Sequence, residues 1–275
     1  MPKLILPAIF FIIACKLAAQ NNITMFPDKL SMEPFYANFL EPKIGFLFTT
    51  GENNIRLDIG ASRDLLQSVN KTENTTLSLG ADFFTFTKLR GEDNFHFPVD
   101  AVDYLFGINS TWQKNQSDAA VGARLRFSHI SAHLVDGHYD PQKGWREGKA
   151  PHVYSREFFE LTPFYQTDSY RGYLGITYIV HVVPHDVKPW MINCGAEYFY
   201  RGISPLINPF IAYDLRTIVL DKTTINNTFL AGIKFGQPYS AGVRVQYTYF
   251  SGKNIHGEYY DVKENYSSIG LTIDF

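Results

Sequence analysis

The chain has 275 residues, 45% of them hydrophobic and 16% aromatic, with 25 Lys and Arg against 27 Asp and Glu for a formal net charge of −2. No basic block marks a nucleic-acid surface, and no stretch beyond the N-terminus has the length of apolar sequence that a membrane helix needs. Any passage through a membrane is left to strands, and two cysteines make no disulfide framework.

The first residues, MPKLILPAIFFIIACKLAAQ, put Lys3 before an apolar run from Leu4 to Ala14 and end in the small residues Ala18 and Ala19. This is the layout of a secretory signal peptide over residues 1–19, and the run is too short for a span. A second export reading takes Cys15, closing IIAC, as the lipidated first residue of a lipoprotein. Residues 20–275 then form one exported domain, with 20–42 as a periplasmic leader.

Further along, apolar residues recur with period two, which places alternate side chains on opposite faces of a strand. Ile192, Cys194, Ala196, Tyr198 and Tyr200 share a face, as do Phe229, Ala231, Ile233 and Phe235. Val243, Val245, Tyr247 and Tyr249 form another such face, and Ile269, Leu271, Ile273 and Phe275 close the chain. Soluble sandwiches alternate too. Here the alternating segments often reach ten or more residues, against about five or six in soluble sheets and about nine to eleven in tilted membrane strands. The opposite face carries Arg, Lys, Glu and Gly, which suits a polar lumen.

Connections also alternate short and long, as tight periplasmic turns and outer loops do. Short joins fall near Lys114 to Asp118, at Asp168 and Ser169, at Ser204 and Pro205, and at Gln237 to Tyr239. Long ones span Arg90 to Asp100, Val135 to His152, Pro184 to Pro189 and Gly252 to Glu264. The exception is early, where TGENN is tight and the polar run Ser62 to Thr75 is long. The expectation is an all-β fold, a transmembrane antiparallel barrel of about twelve strands, with ten to fourteen allowed by boundary errors of about two to four residues. Tyr36, Tyr104, Trp112, Tyr173, Trp190, Tyr198, Tyr200, Tyr247 and Tyr249 are candidates for aromatic girdles, while Trp145 falls in a loop.

The terminal Phe275 resembles the C-terminal signal that bacterial outer-membrane barrels present to their assembly machinery. That resemblance implies the outer membrane of a Gram-negative bacterium as location, with outer-membrane lipid and the assembly machinery as partners. FPDKLSMEPFYANFLEPKIGF, Phe26 to Phe46, and RLRFSHISAHLVDG, Arg124 to Gly137, are similar to two motifs of a bacterial family known only as a domain of unknown function, the 1207 type. In that family a proline-bounded leader enters the first strand, and a later strand ends in a His-x-Ser-Ser-His-Leu-Gly-Asp type of motif. His129, Ser131, His133, Leu134 and Asp136 fit it, while Ala132 and Val135 depart from it. No activity comes with the resemblance.

In the strand before this cluster, Val121, Ala123, Leu125 and Phe127 form the outward face, and Gly122, Arg124, Arg126 and Ser128 the lumenal one. Unbroken, that register turns His129, Ser131 and His133 outward at the extracellular rim; a bulge would turn them inward. An outward His-x-Ser pair resembles that of outer-membrane lipid A deacylases, although the small residues that follow the serine there are missing. The resemblance implies that His129 takes the proton of Ser131 while a carboxylate, Asp136, Glu157 or Glu160, orients the imidazole. A zinc site drawn from His129, His133, Asp136 and His138 is a second reading, and a hydrogen-bonded rim belt a third. No cofactor is implied.

Arg56, Asp58, Asp82, Arg124, Arg126, Glu197, Arg201, Lys234 and Arg244 are expected in the lumen, lining a narrow pore or cross-bracing the wall. Two classes of function therefore stand side by side. One is a narrow pore or structural surface barrel, and the other a lipid-modifying hydrolase, deacylase-like or phospholipase-like.

Overall fold

A computed structural model describes residues 23–220 and 222–275, so the expected signal peptide over residues 1–19 and Cys15 lie outside the described residues. The strands are β1 (Ile23–Met25), β2 (Ile44–Thr49), β3 (Asn54–Asn70), β4 (Thr75–Arg90), β5 (Val99–Asn115), β6 (Ala119–Leu134), β7 (Tyr139–Asp140) and β8 (Gly144–Trp145). They continue as β9 (Tyr154–Thr167), β10 (Tyr170–Val183), β11 (Trp190–Phe199), β12 (Ile207–Val219), β13 (Thr223–Phe235), β14 (Gly242–Lys253) and β15 (Lys263–Asp274). Neighbours pair antiparallel from β3 through β2, β15 and so on round to β4, and the β3–β4 pairing closes the barrel. Twelve strands make the wall. β1 is a short addition to the far half of β3, and β7 and β8 form a small hairpin of their own.

Alternation survives folding almost residue for residue. In β6 every even residue from Ala120 to Ala132 is buried and the odd ones are half-exposed. The early exception to the loop rhythm is removed in part: β3 runs on through the polar stretch to Asn70 and turns at residues 71–74, while TGENN stays a tight join between β2 and β3. Ser62 and Asp64 break the apolar pattern there because they meet polar partners, Asp82 and Ser31, at 2.7 Å. The joins 71–74, 116–118, 168–169, 200–206 and 236–241 lie at one end of the barrel with the chain termini of the wall, here the turn end; the loops 91–98, 135–153, 184–189 and 254–262 lie at the other, the loop end, together with the short joins at 50–53 and between Val219 and Thr223.

The lumen is not a water-filled polar bore. Inward positions include Phe84, Phe86, Leu105, Ile130, Phe158, Ile179 and Phe250, all buried, and loop residue Ile255 packs with them at the loop end. Tyr36 and Tyr173, expected in the girdle, are also inside, for Tyr36 lies at a ring distance of 5.6 Å from Phe199 and Tyr173 stacks on Phe35 at 3.8 Å.

Both aromatic partners of the turn-end core come from the leader. From Met32 onward this segment does not stay outside the barrel but fills its interior, where Phe35, Tyr36, Ala37, Asn38, Phe39, Leu40 and Glu41 are each at most 6% exposed. A chain without regular structure leaves its peptide groups unpaired, and burying them is costly unless the wall supplies partners. The wall does so: Arg171 donates to the Glu33 and Pro34 carbonyls at 2.7 Å, Arg126 to the Leu40 carbonyl at 3.3 Å, and the Tyr36 amide donates to Glu197 at 2.6 Å.

Candidate functional site on the outer wall

The loop at 135–153 folds β9 back antiparallel to β6, and the register sets His129 opposite Glu157 and Ser131 opposite Ser155. All four are odd positions facing outward. His129 Nδ1 lies 2.6 Å from Glu157 Oε1. On its other flank the imidazole meets Phe106 of β5, with ring centres 4.9 Å apart. Glu157 Oε2 is bound in turn by His181 Nδ1 of β10 at 2.7 Å. One carboxylate thus ties together imidazoles from the strands on both sides of it.

Below this row, towards the barrel waist, the wall turns apolar: Phe127 packs on Phe159 at 5.0 Å and Tyr178 on Trp190 at 4.7 Å. Above it, Ser131 lies between Tyr104 and Ser155 on the neighbouring strands. A polar row with a nucleophile-bearing residue sits at the edge of an apolar belt.

Three carboxylates were open as partners of His129, and the geometry separates them. Glu160 points into the lumen and binds Arg126 at 2.6 Å. Asp136 is exposed in a 3-10 turn at Asp136–His138, where it accepts from the Gly137 amide. Only Glu157 touches His129. The four residues of the zinc reading also part: His133 faces out against Tyr104, while His138 is buried beside Tyr259 and Asp100. Among the described residues no three His, Cys, Asp or Glu side chains come together as metal ligands.

Arg124, Arg126, Glu197 and Arg244 are all buried in the lumen, as are Asp58, Asp82 and Lys234, with Arg56 beside Asp58. Arg201 is not on the lumen wall. It follows the end of β11, is 39% exposed, and pairs with Asp168 and Gln237 at the turn-end mouth, because the strand stops at Phe199. Sequence reading passed over Arg171, Arg216 and His181. The two arginines carried an inward parity that was available; His181 shares that parity and yet faces outward.

Several of the lumenal charges pair with one another. Arg124 holds Glu41 through two hydrogen bonds, Arg171 holds Glu197 at 2.8 and 3.0 Å, and Arg244 and Lys234 share Asp274. The first pair braces wall to leader and the others wall strand to wall strand, and among the described residues the leader positions 35–41 fill the lumen out of reach of solvent.

A family model described as "Protein of unknown function (DUF1207)" matches residues 97–275, more than half of the chain. The chain belongs to the DUF1207 family. Its match takes in the His129 to Asp136 motif and leaves the leader motif outside. No curated protein matches the sequence. Among solved structures, outer membrane phospholipase A from Escherichia coli superposes with a TM-score of 0.55 at 12% identity over 95% of this chain and 96% of that one. An outer membrane phospholipase from Salmonella typhi, a dimer with bound calcium, gives 0.52 at 10% identity over the same shares. At such identity the likeness shows that this DUF1207 chain has the fold of an outer-membrane β-barrel.

Proposed function

We propose that the chain is an outer-membrane hydrolase of acyl esters in lipid, working from the outer wall of the barrel with Ser131, His129 and Glu157. The observation that carries this reading is the hydrogen bond of 2.6 Å between His129 and Glu157, on the face that also bears Ser131. A carboxylate on Nδ1 keeps the proton there and leaves Nε2 as the base, which is the arrangement that activates a serine. The filled lumen argues against the pore reading. The phospholipases of the same fold make lipid the natural substrate class, and the apolar rows beneath Ser131 suit acyl chains lying against the wall.

The reaction runs in two halves. His129 Nε2 takes the Ser131 proton as Oγ attacks the ester carbonyl, and the imidazolium returns it to the departing alkoxide. Water then attacks the acyl-serine with His129 as base again, releasing the fatty acid. Neighbouring outward residues on a strand lie about 6–7 Å apart, so the base and nucleophile close on one another with substrate in place. The reading sets the turn end in the periplasm and the loop end outside, with the strand ending at Phe275 read by the assembly machinery.

Acyl release from phospholipid and lipopolysaccharide vesicles tests it. Wild type is expected to liberate fatty acid, and Ser131→Ala and His129→Ala to fall by at least about a hundredfold while still folding. Equal release by Ser131→Ala and wild type would sink the assignment of the nucleophile.

A further inference from the structure

β10 carries an irregularity that no neighbouring strand shows at this level. Its inward residues are Arg171, Tyr173, Gly175, Thr177 and Ile179, all odd, and its outward residues Leu174, Ile176, Tyr178 and Val180 are even. Continued, that parity would point His181 into the lumen. Instead the pairing with β9 shifts between Ile179 and His181: Ile179 opposes Phe158, and His181 opposes Glu157, so Val180 is left over. The extra residue reverses the parity and brings His181 to the outer wall, where it is 58% exposed and bonded to Glu157 Oε2. Bulges re-aim side chains, and they concentrate next to active sites.

We propose that His181 is a positioning residue of the outer-wall site, holding Glu157 so that its other oxygen faces His129. The inference rests on the hydrolase reading above. A glutamate on an outer wall has several rotamers open to it, and only one meets the imidazole of the neighbouring strand. With Oε2 tied to β10 and Oε1 to β6, the carboxylate is fixed from both sides, and His129 keeps its Nδ1 proton and its ring plane. His181 touches neither Ser131 nor the reacting ester; it acts through Glu157.

The test uses the full-length barrel in nanodiscs, with His181→Ala, His181→Asn and wild type. His181→Ala should lower kcat for acyl release about tenfold with KM unchanged, the scale on which outer partners act on the groups they orient. His181→Asn, which still donates to Oε2, should recover most of that rate. Nitrogen-15 imidazole spectra supply a readout that needs no substrate: His129 should hold its proton on Nδ1 in wild type and His181→Asn, and mix tautomers in His181→Ala. An unchanged His129 tautomer in His181→Ala overturns the proposal, whether or not kcat falls. If wild type releases no fatty acid, the hydrolase reading fails, and the tautomer comparison still decides whether His181 positions Glu157 and His129.

Discussion

Glu157 and Glu160 lie three residues apart on β9 and face opposite sides of the same wall. Glu160 is buried among guanidinium groups: Arg126 at 2.6 Å, Arg216 at 3.4 Å and Arg124 at 3.8 Å, with the Thr177 hydroxyl at 3.2 Å. Arginine stays charged at every accessible pH, so these contacts are permanent. Glu157 is 27% exposed and meets two imidazoles, each with a second ring nitrogen left over. The lumen uses a glutamate to hold the barrel shut, whereas the outer wall surrounds one with groups able to exchange protons. On the hydrolase reading, the contrast sets chemistry on the outside and structure on the inside.

That division is broken most severely by Glu160→Ala, which leaves Arg216 without a carboxylate partner and Arg124 and Arg126 with Glu41 alone. The barrel should lose about 3–5 kcal/mol of stability, as when one partner of a buried ion pair is removed. Glu157→Gln keeps the shape of its site and should cost less than about 1 kcal/mol, the range for exposed pairs. Urea unfolding in detergent micelles, followed by tryptophan fluorescence, gives both values. Equal losses would mean that the outer-wall cluster is structural too.

The leader offers a second way to sharpen the comparison, since it completes the inside alone. Phe35 is 1% exposed, stacks on Tyr173 and lies under the guanidinium of Arg171 at 4.6 Å. Phe35→Ala should cost about 3 kcal/mol through the cavity it leaves. Acyl release per folded molecule should not change. A parallel fall in activity would show that the lumen and the outer wall are coupled.

Why the two faces differed in legibility follows from what each depends on. Unbroken alternation along β6 sufficed to place His129, Ser131 and His133 outward, because a strand's parity is local. The course of β3 through Ser62 and Asp64 was hidden because inward polar residues there answer to Asp82 and Ser31, which sequence distance conceals. The leader's place in the lumen depends on arginines from five different wall strands: Arg56, Arg124 and Arg126, Arg171, Arg216 and Arg244. His181 was hidden by its bulge: the shift of register is set by the pairing with β9, and nothing in YIVHVV itself breaks period two.

The smallest effect belongs to a third carboxylate, which has both kinds of partner. Glu92, in the loop after β4, accepts from Arg90 at 3.0 Å and lies 3.0 Å from His96 Nδ1. Hydrogen bonds from Arg90 and then from His96 hold its carboxyl below the usual range. A carboxyl depressed in the folded state stabilises above its unfolded value, near pH 4, and loses that contribution as pH falls through its lower folded value. Loop 91–98 should therefore become more open to proteolysis below about pH 4, and Glu92→Gln should be equally open on both sides of that pH. The carboxylate stands in solvent, where screening weakens both bonds, so the barrel itself should unfold at the same urea concentration in either form. A shift of that midpoint would mean that loop 91–98 bears on the wall as the lumenal pairs do.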